Sequence, residues 1–161
     1  VSDDPFALGC PTTVLHCTEL SQQGVMAALR AGHGYVTEGP EGPSLITQVE
    51  GTPMGSVRPA PAPLEAETTG AEGDDLVLIA DGREVARATI PDGGRLVLSV
   101  PDTATHVRAE IEARASRDQL IAQFRNWLDQ HEIPRGELPA QGAIPPILRA
   151  MANPHYFGDW T

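Results

Sequence analysis

The chain has no lysine. All 11 of its basic residues are arginine, set against 22 acidic ones, for a formal net charge of −11. A surface this negative repels phosphate backbones and anionic lipid at long range, which argues against nucleic acid and membrane as partners. A local arginine cluster remains able to hold a phosphate, because the guanidinium is planar and bidentate. Cysteine is scarce too: Cys10 and Cys17 are the whole complement. Two are too few for a disulfide framework, and their spacing fits no zinc pattern. With a strand over residues 12–17 they sit too far apart to bond. Both read as reduced thiols, which inclines the localisation towards the cytoplasm. No apolar run approaches the roughly 20 residues a membrane helix needs. Val1-Ser2-Asp3-Asp4 is acidic and leads into no apolar stretch, unlike a secretory signal. No Gly-x-Ser-x-Gly elbow and no glycine-rich phosphate loop occurs, which removes the usual serine-hydrolase and nucleotide-binding signals. There is no internal repeat. The first residue is Val rather than Met, as expected of a processed product or a piece of a longer frame.

What is present is a mixed α and β pattern. With 161 residues, 40% of them hydrophobic, one domain or two small ones can bury a core. Residues 12–17 are β-branched and apolar and predict a short buried strand. Ser21 can cap a helix running to about Ala31, with Val25, Met26 and Leu29 as its apolar stripe and Gly32 at C′. A strand at 34–37 follows, so the segment reads as strand–helix–strand. Leu45, Ile46 and Val49 begin another strand. The stretch 51–63 carries Pro53, Pro59, Pro61 and Pro63 and reads as an extended connection. Beyond it, Asp81-Gly82 between two apolar runs is a hairpin signal, because both residues tolerate positive φ. Asp92-Gly93-Gly94 makes the next turn, and residues 96–100 the next strand. Val107, Ala109, Ile111 and Ala113 alternate with polar residues as in a half-buried strand. Ser116 and Gln119 form a capping box for a last helix, with Leu120, Ile121, Phe124, Trp127 and Leu128 on its buried face. The tail from Pro139 is rich in turn residues.

Three stretches then line up in order. They are Cys10-Pro11-Thr12-Thr13-Val14 with Glu19-Leu20-Ser21; residues 28–40, from Ala28-Leu29-Arg30-Ala31-Gly32 to Thr37-Glu38-Gly39-Pro40; and Met151-Ala152-Asn153-Pro154-His155-Tyr156. Met54-Gly55 and Asp81-Gly82 fall between them. This order resembles the C-terminal part of metal-dependent hydrolases of the PHP superfamily, in the branch named after carbaryl hydrolase. The resemblance implies an α+β chain. Residues 1–43 would be the closing strand–helix–strand piece of a PHP α/β barrel, 44–113 a small Ig-like β-sandwich, and 114–161 a C-terminal helix and closing tail. It implies divalent metal ions (zinc, manganese or iron) in the complete enzyme. These would activate water against a small-molecule ester, often a phosphoester.

The same resemblance sets the site residues. The early His-x-His pair of the family is absent here. The late Asp-x-His pair would fall on Ser2-Asp3-Asp4-Pro5, so Asp3 matches the metal-ligating Asp while Pro5 stands where His is expected. As given, the chain holds no multinuclear metal site, and a solvated carboxylate is the plain alternative for Asp3. His155 would join a site if the tail packs back towards the catalytic unit. His16 reads as a packed strand histidine and His33 as a partner of the helix C-terminus. His106 and His131 read as surface residues, and Arg30 and Arg108 as surface or ion-paired. Two rivals stand beside the enzyme fragment: a non-catalytic Ig-like binding or accessory module, and a chain that docks onto a separate N-terminal catalytic half.

Overall fold

The computed structural model describes residues 10–114 and 147–159, together with Ala122, Asn126 and Asp129. It begins with β1 (Thr12–Leu15), α1 (Gln22–Ala31) and β2 (Gly34–Thr37). The body follows as β3 (Ser44–Val49), β4 (Thr52–Pro53), β5 (Val57–Arg58), β6 (Leu64–Thr69), β7 (Asp75–Ala80), β8 (Arg83–Thr89), β9 (Arg95–Leu98) and β10 (His106–Glu112). Two strands close the chain, β11 (Leu148–Ala152) and β12 (His155–Phe157).

The strands form two sheets. In the larger one, β1, β2, β11, β10, β7 and β8 lie side by side, each antiparallel to its neighbour. β12 continues β11 along the same edge of β10 and carries β5 parallel on its far side. Glu110 opposes Met151 and Val107 opposes His155, so the register slips by one residue across Asn153-Pro154. That slip is a bulge, and it divides the outer edge between β2 and β5. The smaller sheet is antiparallel in the order β4, β3, β6, β9. Period-two alternation turns Leu45, Thr47 and Val49 of β3 and Leu64 and Ala66 of β6 inward. Leu76 and Leu78 of β7 and Val107, Ala109 and Ile111 of β10 answer from the other sheet, all fully buried. Each such leucine or isoleucine contributes about 2 kcal/mol of burial free energy.

The hairpin at Asp81-Gly82 is found as expected, with φ of 48° and 78°. So is the half-buried strand at β10. The expected α/β barrel piece is overturned. Barrel strands run parallel, whereas Thr12 faces Thr37 and Leu15 faces Gly34 in an antiparallel pair. The reason lies in the connection. The His16 amide donates to the His33 carbonyl at 2.8 Å, so the chain leaves and re-enters at one end of the pair. Residues 17–21 run out and α1 runs back, which reverses the strand direction. Among the described residues the fold is mostly β, with two sheets and one short complete helix, α1. The helix expected from Ser116 falls on residues 115–146, which lie outside the described residues apart from three isolated positions.

Two further expectations change. The proline-rich stretch 51–63 is woven into the body: Met54 is buried, β4 pairs with β3, and β5 pairs with β12. Proline lacks the N–H a ladder needs, so these pairings stop at two residues. The tail is not all turn, since β11 and β12 lie inside the larger sheet. Residues from all three stretches of the chain thus share that sheet. None of the described helices is long and apolar enough to cross a membrane.

Candidate functional site

The segments that carry the family resemblance meet in space. α1 starts at Ser21, whose Oγ accepts from the Gly24 amide at 3.0 Å, and stops at Gly32, whose φ of 68° only glycine adopts without strain. Against that last turn lies Gly55. A Cβ built on Gly55 would stand 2.3 Å from the Ala31 carbonyl oxygen and 2.5 Å from that of Gly32. The Gly55 amide donates to the Pro154 carbonyl at 2.9 Å. The Asn153 side chain donates to the Gly32 carbonyl at 2.9 Å, and its amide to the Gly34 carbonyl at 3.1 Å. Asn153 therefore satisfies one of the carbonyls a helix end leaves open. The bulge at 153–154 is what frees this backbone to reach α1.

His155 sits immediately below the clamp and is fully buried. Its ring crosses from the larger sheet to the smaller one, with Nε2 at 3.1 Å from the Thr47 hydroxyl of β3. Among the described residues Nδ1 has no hydrogen-bond partner. Arg58 and Phe157 are paired neighbours on β5 and β12, so Arg58 and His155, two residues apart in register, share the inward face. The Arg58 guanidinium donates to Thr52 Oγ1 at 2.7 Å and to Glu50, while its buried Nε has no partner. Burial, and then the Arg58 charge, push the His155 pKa down to about 4, so the ring is neutral near pH 7.

A second tie lies at the opposite end of β2. Arg149 of β11 donates to Glu38 at 2.8 Å, to Asp74 ahead of β7, and to the Gly70 carbonyl at 3.3 Å. Hydrogen bonds donated to Glu38 raise the Arg149 pKa against the opposing effect of burial. On the far edge, Arg87 of β8 bridges Glu84 and Glu112, both at under 3 Å.

α1 itself is poorly covered. It buries Gly24 and Ala28, while Met26 is 40% and Leu29 50% exposed and Leu20, just before it, is fully exposed. Of the expected apolar stripe Val25, Met26 and Leu29, Val25 is half-buried while Met26 and Leu29 face out. Arg30 is the one charged residue of the helix. β1, at the end of its sheet, lies beside it.

The expected site residues are not gathered. Asp3 and His131 lie outside the described residues. His16 and His33 meet through their backbones at the end of the β1–β2 pair. His106 lies 3.2 Å from Asp81 at the β7–β8 turn. Arg108 pairs with Glu110 at 2.7 Å. Cys10 and Cys17 are free thiols of intermediate exposure. Among the described residues no group of three or more His, Cys, Asp or Glu fits a metal ion, so they do not fit the metal centre the resemblance implies. A groove of about 410 Å³ on the outer face of the smaller sheet runs over Gln48, Glu65, Glu67 and Arg95, but these side chains pair with each other. Sequence reasoning missed the convergence of Gly32, Gly55 and Asn153. Its signal was the place of Gly32 and Asn153 in two of the ordered stretches, with Met54-Gly55 between them. No family model, no curated protein and no solved structure matches the chain.

Proposed function

We propose that this chain is the C-terminal portion of a metal-dependent hydrolase of the PHP type, acting on an ester, and that it works as an accessory module. Its β-sandwich holds α1 in place, and α1 docks on the metal-carrying catalytic half. Zinc, manganese or iron belongs to that half.

One observation carries the reading. α1 is fixed at its C-terminal end by Gly55 and Asn153, yet turns Leu20, Met26 and Leu29 to solvent. A fixed helix whose exposed face is nearly free of charge has the composition of an interface core. Covering those three side chains contributes roughly 3–5 kcal/mol. The ordered motif stretches add support, since the residues they share with the family pattern build this clamp.

The coding frame ahead of Val1 is the direct test. An His-x-His in a strand-like run, followed by spaced Glu, His and Asp, supports the proposal; a stop codon or an unrelated domain there removes it. Met26→Glu with Leu29→Glu tests the docking face. Both positions are exposed, so the isolated chain keeps its stability within about 0.5 kcal/mol. In the full-length product the pair lowers ester hydrolysis and loosens the module, read by limited proteolysis between the halves. Unchanged hydrolysis and proteolysis end the docking reading.

A second reading is a binding module complete in itself. The sandwich favours it, because its two sheets close over their own core. A chain that stays monomeric at high concentration with α1 fully protected from exchange supports this module and sinks the docking one.

A further inference from the structure

The ring of His155 joins the two sheets at the point where α1 is fastened, and nothing in the proposed enzymatic role uses it. We propose that His155 is an acid-operated catch: when the ring takes up a proton, residues 153–158 come away from β3 and β5, and the C-terminal end of α1 is released while the sandwich persists.

The geometry carries this. The neutral ring can donate from Nε2 to Thr47 and leave only an unprotonated Nδ1, a lone pair rather than a donor, without a partner. The imidazolium has two N–H donors. One can keep the Thr47 hydroxyl, which turns to accept. The other, at Nδ1, meets no acceptor. Buried donors without partners and buried charges without counter-ions are both costly.

The charges around the ring worsen the case. From β5 comes the Arg58 guanidinium, of the same sign. From β3 comes only the uncharged Thr47. Opposite on β10 stands Val107. Glu50 is turned outwards and engaged by Arg58. His106 and Asp81 pair with each other on the outer side, where Tyr156 also lies near His106. A proton is therefore accepted only when the ring reaches water, which requires residues 153–158 to shift, with the β12 pairs to β10 and the buried Phe157 giving way locally. β12 carries the Tyr156 amide bond to Ser56 and sits beside the Gly55–Pro154 and Asn153–Gly34 bonds that hold α1.

The direction with pH follows from the depressed value. Above the ordinary histidine pKa of 6.5 the ring is neutral in every state and the catch is closed. As pH falls towards about 4 the open state gains a proton that the closed state refuses. The population of the open state then rises by roughly two orders of magnitude between pH 7 and pH 4, tenfold for each unit between the two values.

Amide exchange on the full chain, corrected for intrinsic rates, reads this out from pH 7.5 to 4.5. The Gly55, Asn153 and Tyr156 amides are expected to lose protection by about a hundredfold while those of β7 and β10 hold. His155→Gln and His155→Leu should flatten the dependence. The wild-type ring, followed by NMR, should titrate well below 6.5, with the loss of protection setting in near 6.5 and levelling off where the ring titrates. A ring titrating near 6.5 overturns the proposal. So does joint loss of protection at the clamp and in β7 and β10, or an unchanged pH dependence in either folded variant.

Discussion

Gly55 is the position where a single methyl group should separate the two parts of the molecule. Gly55→Ala adds a Cβ at a φ of +85°, a left-handed conformation that costs a side chain about 1–2 kcal/mol. That Cβ also meets the carbonyl oxygens of Ala31 and Gly32 at 2.3 and 2.5 Å. Neither oxygen yields easily. The Gly32 carbonyl accepts from Asn153, and Ala31 closes the last turn of α1. Pushing the chains apart adds about 1–3 kcal/mol of overpacking and weakens a hydrogen bond worth about 1 kcal/mol. The total is roughly 3–6 kcal/mol, or a fall in Tm of about 10–15 °C for a chain of this size. Gly82→Ala is the matched control, because Gly82 has a φ of +78° with nothing within 4 Å of a built Cβ. It should cost only the backbone part, about 1–2 kcal/mol. Urea unfolding of both variants measures the difference, and amide exchange locates it at α1 and 153–156. Equal destabilisation by the two substitutions, within about 0.5 kcal/mol, would refute the close approach of Gly55 to α1.

Other outcomes follow from the polar ties. Arg149→Ala strands Asp74 and Glu38 and should cost about 2 kcal/mol, between the values for exposed and buried pairs; Arg149→Lys should recover little, since an ammonium cannot span Glu38, Asp74 and the Gly70 carbonyl together. Chemical denaturation checks it, and an unchanged midpoint counts against the tie. Asp81 accepts from the Thr105 hydroxyl and from the Thr105 and His106 amides, and these bonds, the hydroxyl first, hold its carboxyl below the usual range. Its folded value is the lower one, so its contribution is present above the unfolded pKa and is lost as pH falls through the folded one. Thermal melts of Asp81→Asn against the wild type should therefore converge in acid. A gap that stays constant from neutral pH down to pH 3 would contradict this.

Local chemistry was legible where it was decided locally. Ser21 and Gly32 bracket α1 because capping and C′ geometry act within one turn. Asp81-Gly82 makes its hairpin because the turn alone demands positive φ. Strand pairing was not legible, since it depends on partners far away in sequence. The 12–37 segment has the pattern of a parallel α/β unit, yet β1 and β2 pair antiparallel, closed at one end by the His16–His33 bond. β6 escaped notice although Leu64, Ala66 and Thr68 alternate with Glu65, Glu67 and Thr69; the prolines just ahead masked a period of two. β11 and β12 hid behind Asn153-Pro154, which reads as a turn and is a bulge. The clamp residues were visible as a pattern, but their contact spans 121 residues, between Gly32 and Asn153.

The helix makes the strongest case that the chain functions against something else. Ten residues are too few for a stable helix in water, so its order must come from packing. Yet the packing is confined to Gly24, Ala28 and the clamp at one end. The N-terminal turn has the half-buried Ser21 cap and a bond from Ser21 to Glu19, both local and the second exposed to competition from water. α1 should therefore be the least protected regular element of the isolated chain, opening from Gln22 towards Gly32, with free energies near the low end of the local range. A docking partner that covers Leu20, Met26 and Leu29 would first have to order that turn. Its observed affinity would be smaller than the buried apolar area suggests, and it would rise if the turn were stiffened. Gln23→Glu, placing an acidic side chain in the first turn at an exposed position, should do this by about 0.5 kcal/mol. If it strengthens docking without adding a contact, ordering of α1 is part of the association; if it leaves docking unchanged, α1 is already fully formed before the partner arrives.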